Sequence, residues 1–117
     1  MLKREIETDK LGNNQSHFYL TQGDSCTIYS TPYKNGEKLP VSEVEKCIFK
    51  LSNSDYIEEF RKEMQLEDDK FVLRLTSEET SKFTIDTHIY EIEYTLVGGA
   101  INTPNQWKFD ILDQIIE

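Results

Sequence analysis

Carboxylates are the most numerous groups in this sequence that could do chemistry: Asp and Glu together number 22. Two of them facing each other across a cleft, one in an apolar pocket, would hydrolyse a glycosidic bond by general acid–base catalysis. The adjacent candidates are Glu58-Glu59, Glu78-Glu79, and Glu91 with Glu93. Each falls in a turn or on the solvent phase of an alternating run, where like charges serve solubility and protect sheet edges. Asp55 with Glu67-Asp68-Asp69 offers oxygen ligands for calcium. The D-x-[DN]-x-[DN]-G loop spacing is missing, so these residues read as acidic β-turns. No serine stands in G-x-S-x-G. Gly98-Gly99 lacks both a glycine-rich phosphate loop and a helix to receive a phosphate, and reads as a hairpin turn. No catalytic, cofactor-binding or metal residue is assigned, no cofactor is expected, and the chain is not expected to be an enzyme.

The softer ligands lead to the same place. Cys26 and Cys47 are the two cysteines, and both sit at core-phase positions of apolar runs. A free cysteine there behaves as a small hydrophobe, so both are expected to be reduced and buried. His17 and His88 stand alone, without metal-ligand spacing. The aromatic residues remain. Tyr19, Tyr29, Tyr33 and, as an alternative to a place in the core, Trp107 are candidates for an exposed platform that stacks on sugars or meets a protein partner. Tyr19 and Tyr29 take the outward phase if Phe18 and Ile28 point inward. Trp107, in phase with Phe109 and Ile111, is expected in the core.

The elements that must carry these residues are strands. Phe18 and Leu20 alternate with His17, Tyr19 and Thr21; Cys26, Ile28 and Ser30 alternate with Thr27, Tyr29 and Thr31. An Asn35-Gly36 turn follows. Cys47, Phe49 and Leu51 share one face of the next strand, while Lys46, Ile48 and Lys50 share a face that the lysines keep wet. Residues 56–66 fit both strand and helix periods, and the strands on either side favour strand. Phe71, Leu73 and Leu75 alternate with Val72 and Arg74. Thr76 with Glu79 has capping-box form and predicts a short helical turn near 77–83, with Phe83 or Ile85 plugging the core beneath it. The clearest strand places Tyr90, Ile92, Tyr94 and Leu96 opposite Glu91, Glu93 and Thr95. Seven or eight short strands at spacings of about 8–15 residues indicate an all-β sandwich or barrel. Residues 1–16 read as an N-terminal arm or edge strand, and 17–117 as one domain.

Composition closes off several partners. The chain has 117 residues and a formal charge of −9. That balance disfavours binding to a phosphate backbone, which needs a Lys/Arg surplus. Lys3-Arg4 and Arg61-Lys62 are flanked by glutamates and read as solvated. No apolar run approaches the ~20 residues of a membrane span, and the start of the chain has no signal-peptide h-region. Neither nucleic acid nor a membrane is an expected partner.

Three stretches, in order, resemble a known family. His17-Phe18-Tyr19-Leu20-Thr21-Gln22-Gly23-Asp24-Ser25 resembles an f-x-l-x-x-G-D-[ST] start. Leu73-Arg74-Leu75-Thr76-Ser77-Glu78-Glu79-Thr80 resembles l-x-l-t-x-e-e-T. His88-Ile89-Tyr90-Glu91-Ile92-Glu93-Tyr94 resembles g-x-Y-x-Y-E-i, with a v-x-T-p return at Ile101-Asn102-Thr103-Pro104. Their order and spacing over about residues 17–112 are similar to immunoglobulin-like domains of bacteriophage tail and baseplate proteins, near the start of baseplate upper proteins. The resemblance implies an immunoglobulin-like β-sandwich of 7–8 antiparallel strands. It implies a phage or prophage structural protein, acting in assembly through contacts with other phage structural proteins or with itself as a homo-oligomer. Its place would be the virion, or the host cytoplasm during assembly. The family implies no catalytic residues. A carbohydrate- or surface-binding sandwich module is the alternative reading, and a small enzyme or enzyme inhibitor a third.

Overall fold

The computed structural model describes residues 4–7, 18–34 and 37–113, with side chains left undescribed at 4–7, 33, 34, 102 and 104–107. The expected turn at Lys10–Ser16, His17, the Asn35-Gly36 pair and the Trp107 side chain lie outside what is described.

The chain is a sandwich of two sheets, formed because most strands offer one apolar face and bury it against the other sheet. In chain order the elements are β1 (Arg4–Glu7), β2 (Phe18–Thr21), β3 (Cys26–Ser30), β4 (Tyr33–Lys34), β5 (Glu37–Lys38), a 3-10 turn (Val41–Glu43) and β6 (Val44–Ser52). Then follow β7 (Glu58–Glu63), β8 (Gln65–Glu67), β9 (Lys70–Leu75), α1 (Ser77–Thr80), β10 (Thr87–Leu96) and β11 (Ile101–Leu112). One sheet has the order β1-β3-β9-β8, and the other β2-β11-β10-β6-β7. The β4–β5 hairpin stands apart from both. No helix among the described residues is long and apolar enough to cross a membrane.

This is the expected all-β sandwich, with two amendments. Among the described residues the two sheets hold nine strands rather than seven or eight: β1 is an edge strand within the arm at residues 1–16, and β8 is too short to show a period. Two edge pairings, β1 with β3 and β2 with β11, are parallel. Alternation reports which face a residue occupies and carries no information on strand direction.

The core forms where β10 faces the opposite sheet. Tyr90, Ile92 and Tyr94 are fully buried. Tyr90 stacks on Phe49 at 6.4 Å and meets Phe109 edge-on at 6.2 Å. Tyr94 reaches across to Phe71 at 6.0 Å, and its hydroxyl bonds that of buried Ser30. The ambiguous segment 56–66 is strand. It leaves the β6 sheet as β7 and crosses at buried Met64 to the other sheet as β8, with the Met64 N–H donating to the Cys47 carbonyl at 2.8 Å.

The helical turn forms as expected. The Thr76 side chain accepts from the Glu79 N–H at 3.1 Å, and the Glu79 carboxylate accepts from the Thr76 N–H at 2.9 Å. The two bonds satisfy donors that a helix start leaves without partners. Thr80 Oγ1 donates to the Asp24 carbonyl and Gln22 Nε2 to the Phe83 carbonyl, both at 2.8 Å, lashing the turn to the β2–β3 connection. Phe83 is the core plug, edge-on to Phe60 at 5.1 Å, whereas Ile85 is exposed.

Candidate interaction surface

The three candidate tyrosines do not share a platform among the described residues. Tyr19 lies on the outer face of the β6 sheet, at edge strand β2, and is exposed. Tyr29 lies on the outer face of the other sheet, in register with Val72, with Lys70 Nζ 5.9 Å from its ring centroid. Those two faces look in opposite directions. Tyr33 begins the separate β4–β5 hairpin, and its side chain lies outside the description.

The exposed apolar side chains gather instead at the two ends of the sandwich. At one end, Leu39, Ser42, Glu43, Leu96 and Val97 line a depression of about 370 Å³. A neighbour of about 420 Å³, lined by Lys38, Leu39, Pro40, Val41, Ser42 and Asp69, shares Leu39 and Ser42 with it. The Lys38–Asp69 ion pair at 3.0 Å balances charge on its rim, and the ammonium holds the Asp69 carboxyl below its ordinary range.

At the opposite end, Tyr56 and Ile57 are 72% and 62% exposed, and Ile85 is 48% exposed. Tyr56 and Ile57 close the β6–β7 turn. Asn53 builds that turn: its Oδ1 accepts from the Asp55 and Ile57 N–H groups at 2.9 and 3.0 Å, and its carbonyl accepts from the Tyr56 N–H at 2.9 Å. Tyr56 has φ 61°, a left-handed conformation that is costly for a bulky residue.

A polar cluster built on one buried histidine joins this turn to the Ile85 loop. The His88 ring is fully buried. Its Nδ1 lies 3.1 Å from the Asp86 carbonyl, an atom that can only accept, so Nδ1 carries hydrogen. Its Nε2 lies 3.1 Å from both Glu59 Oε1 and Thr84 Oγ1, and Thr84 Oγ1 also donates to Glu59 Oε1 at 3.1 Å. Sequence reasoning treated His88 as isolated. Its main partner is 29 residues away, and the one local hint was its place in the inward phase of β10.

Among the described residues, several cations are matched by carboxylates. Arg61 chelates Glu58 and Arg74 chelates Glu67, and those guanidiniums hold both carboxyls below their ordinary range. Lys50 meets Glu93 at 2.7 Å on the outer face of the β6 sheet. Lys62 Nζ meets Glu79 at 2.9 Å. Partial burial works against ionisation of Glu79, but the Thr76 N–H and the Lys62 ammonium outweigh it and hold that carboxyl low. Cys26 and Cys47 are both buried and neither forms a disulfide, as expected. Burial pushes the Cys47 thiol well up, nearby Glu63 pushes it further, and its Sγ packs 3.7 Å from Met64 Sδ. Among the described residues no three His, Cys, Asp or Glu side chains are grouped to hold a metal ion.

No protein-family model matches the chain, and no curated protein sequence matches it. Solved structures do. One is CopC from Methylosinus trichosporium OB3b, at 6% identity over 88% of this chain and 90% of that one, TM-score 0.55. Another is a structure of the fibronectin(III)-like modules of Clostridium thermocellum CbhA, at 13% identity over 90% and 96%, TM-score 0.52. A third is the N-terminal domain of phage TP901-1 ORF48, at 14% identity over 98% of this chain and 100% of that domain, TM-score 0.56. At these identities the likenesses show the fold: this chain is a β-sandwich similar to fibronectin-III-like and CopC domains and to a phage domain of the same extent.

Proposed function

We propose that this chain is a structural module of a phage or prophage particle, acting in assembly through protein–protein contacts. The observation that carries the reading is the end-to-end overlap with the ORF48 N-terminal domain of phage TP901-1, 98% of this chain on 100% of that domain. The ordered motif resemblance over about residues 17–112 agrees with it. The partners are other particle proteins or a second copy of this chain, and its place is the virion or the cytoplasm of the host during assembly. Fold alone does not dictate function, so the surface must supply the contacts, and the exposed apolar ends are the groups suited to that. The −9 charge gives nucleic acid no counterion-release gain. The role contains no catalytic step.

Light scattering over a concentration series tests the reading, with the protein alone and then mixed with the tail and baseplate proteins encoded beside it. A mass above the monomer, or co-elution with one of those proteins, is expected. A strict monomer inert to every such neighbour overturns it. Tight binding in a glycan panel replaces it with a carbohydrate-binding module.

A further inference from the structure

We infer that the end of the sandwich bearing Tyr56, Ile57 and Ile85 is a preorganised docking site for a protein partner whose apolar contact is ringed by lysine or arginine. The inference rests on the assembly reading and adds to it a place and a partner chemistry.

Two segments far apart in sequence bring exposed apolar side chains to this end. Ile57 lies two residues from Glu59, and Ile85 lies next to Thr84. The Glu59–Thr84 hydrogen bond at 3.1 Å therefore ties the two segments together. Beneath it, fully buried His88 clasps Glu59 from one ring nitrogen and the Asp86 carbonyl from the other. Burying the imidazole is costly unless both its nitrogens have partners, and the exposed Glu59 and Asp86 that meet it are thereby held in a fixed geometry. The β6–β7 turn is fixed as well. Asn53 accepts from two of its N–H groups, and Tyr56 holds a left-handed φ of 61° that leaves its side chain in solvent. A turn with no contact to make gains nothing from presenting a strained tyrosine beside an isoleucine, whereas rigid exposed aromatic and aliphatic groups are what interface centres use.

Charge selects the partner. Asp55 and Asp86 flank the apolar side chains, and among the described residues neither meets a cation within ion-pair distance. Lys82, on the loop leading to Ile85, lies 3.9 Å from Glu78. The rim is thus negative, like the chain as a whole, so a second copy presenting the same end is repelled and a cationic partner is attracted.

A surface-displayed library of random dodecapeptides is the probe. It is sorted with the labelled full chain and counter-sorted against the triple variant Tyr56→Ser, Ile57→Ser, Ile85→Ser. All three side chains are exposed, so the variant is expected to melt within a few degrees of the parent, and the melt is recorded. The expected winners carry an apolar or aromatic residue flanked by Lys or Arg. Ile57→Ser or Ile85→Ser alone should weaken them about tenfold or more, as truncation of an interface anchor does. Asp55→Lys with Asp86→Lys should weaken them about as much, as should raising salt well past the ~10 Å screening regime. Val97→Ser at the opposite end should leave them unchanged. Failure of any peptide to enrich overturns the inference, as do winners that lack cations or that bind the triple variant equally well. If the chain associates with particle proteins and the triple variant still does so, this inference fails and the assembly reading stands. If peptides bind as expected but no particle protein does, the assembly reading fails alone.

Discussion

The outer faces of the two sheets are built differently. On the β6 sheet, Lys50 and Glu93 pair at about one-fifth exposure, Arg61 chelates Glu58, and Ile48 is buried between Glu63 and Glu93 in the register. This face is a charge mesh over the buried Ile48. On the other sheet, Thr27 and Val72 point outward in the alternation yet are each only 3% exposed. Val72 has Tyr29 and Gln65 as cross-strand neighbours, with Lys70 over the Tyr29 ring and Arg74 chelated by Glu67. Long amphipathic side chains can shield apolar surface with their stems while their charged heads stay wet. A strand face directed at solvent is therefore not the same thing as a wet face.

The core supplies the yardstick for testing that contrast. Ile92→Ala should cost about 2–5 kcal/mol in a denaturant titration, because it removes a fully buried side chain at the centre of β10. A cost under about 1 kcal/mol would mean that the two sheets do not close on β10. Val72→Ala should cost about 1–2 kcal/mol, at ~0.8 kcal/mol per buried carbon, although Val72 points away from the core. A value within experimental error of zero would erase the distinction between the outer faces.

Glu93→Ala should cost roughly 0.2–1 kcal/mol, shrinking in high salt, as partly exposed ion pairs do. Glu79 gives a pH signature. Its folded-state carboxyl is held below the ordinary value of 4.5, so its contribution is present above that pH and lost as pH falls through the lowered value. The stability gap between the parent and Lys62→Met should therefore be widest at neutral pH and narrow on acidification below about 4.5, leaving the share that comes from the Lys62 bond to the Arg74 carbonyl. A gap that stays constant down to pH 3 would reject the pairing. Glu91→Ala, whose cross-strand neighbour in β6 is Lys50, should fall within roughly 0.5 kcal/mol of the parent. A larger loss there would make the outer face of the β6 sheet more than a charge mesh.

Sequence reasoning reached what depends on local period and local hydrogen bonding. The Tyr90-Ile92-Tyr94-Leu96 face, the Thr76–Glu79 capping box, the Phe83 plug and the buried thiols are legible because each partner is near in sequence or shares one phase. The shielding of Val72, the Met64 crossing, the parallel edges and the His88–Glu59 bond depend on where distant strands lie, and no periodicity encodes that. Tyr56 shows the same limit at the candidate site. The stretch 56–66 fits both strand and helix periods, and neither period shows that Tyr56 closes a turn with a left-handed backbone.

The parallel pairing of β2 with β11 has a mechanical consequence. Phe18 through Thr21 run alongside Phe109 through Leu112 in the same direction. Tension applied at the start of β2 and the end of β11 pulls the two strands lengthwise past each other. Their ladder bonds are then loaded together, in shear, rather than peeled one at a time as they would be at the open end of an antiparallel hairpin. The sandwich is thus wired to resist stretching along its own chain, the direction in which a module threaded between two larger bodies is strained.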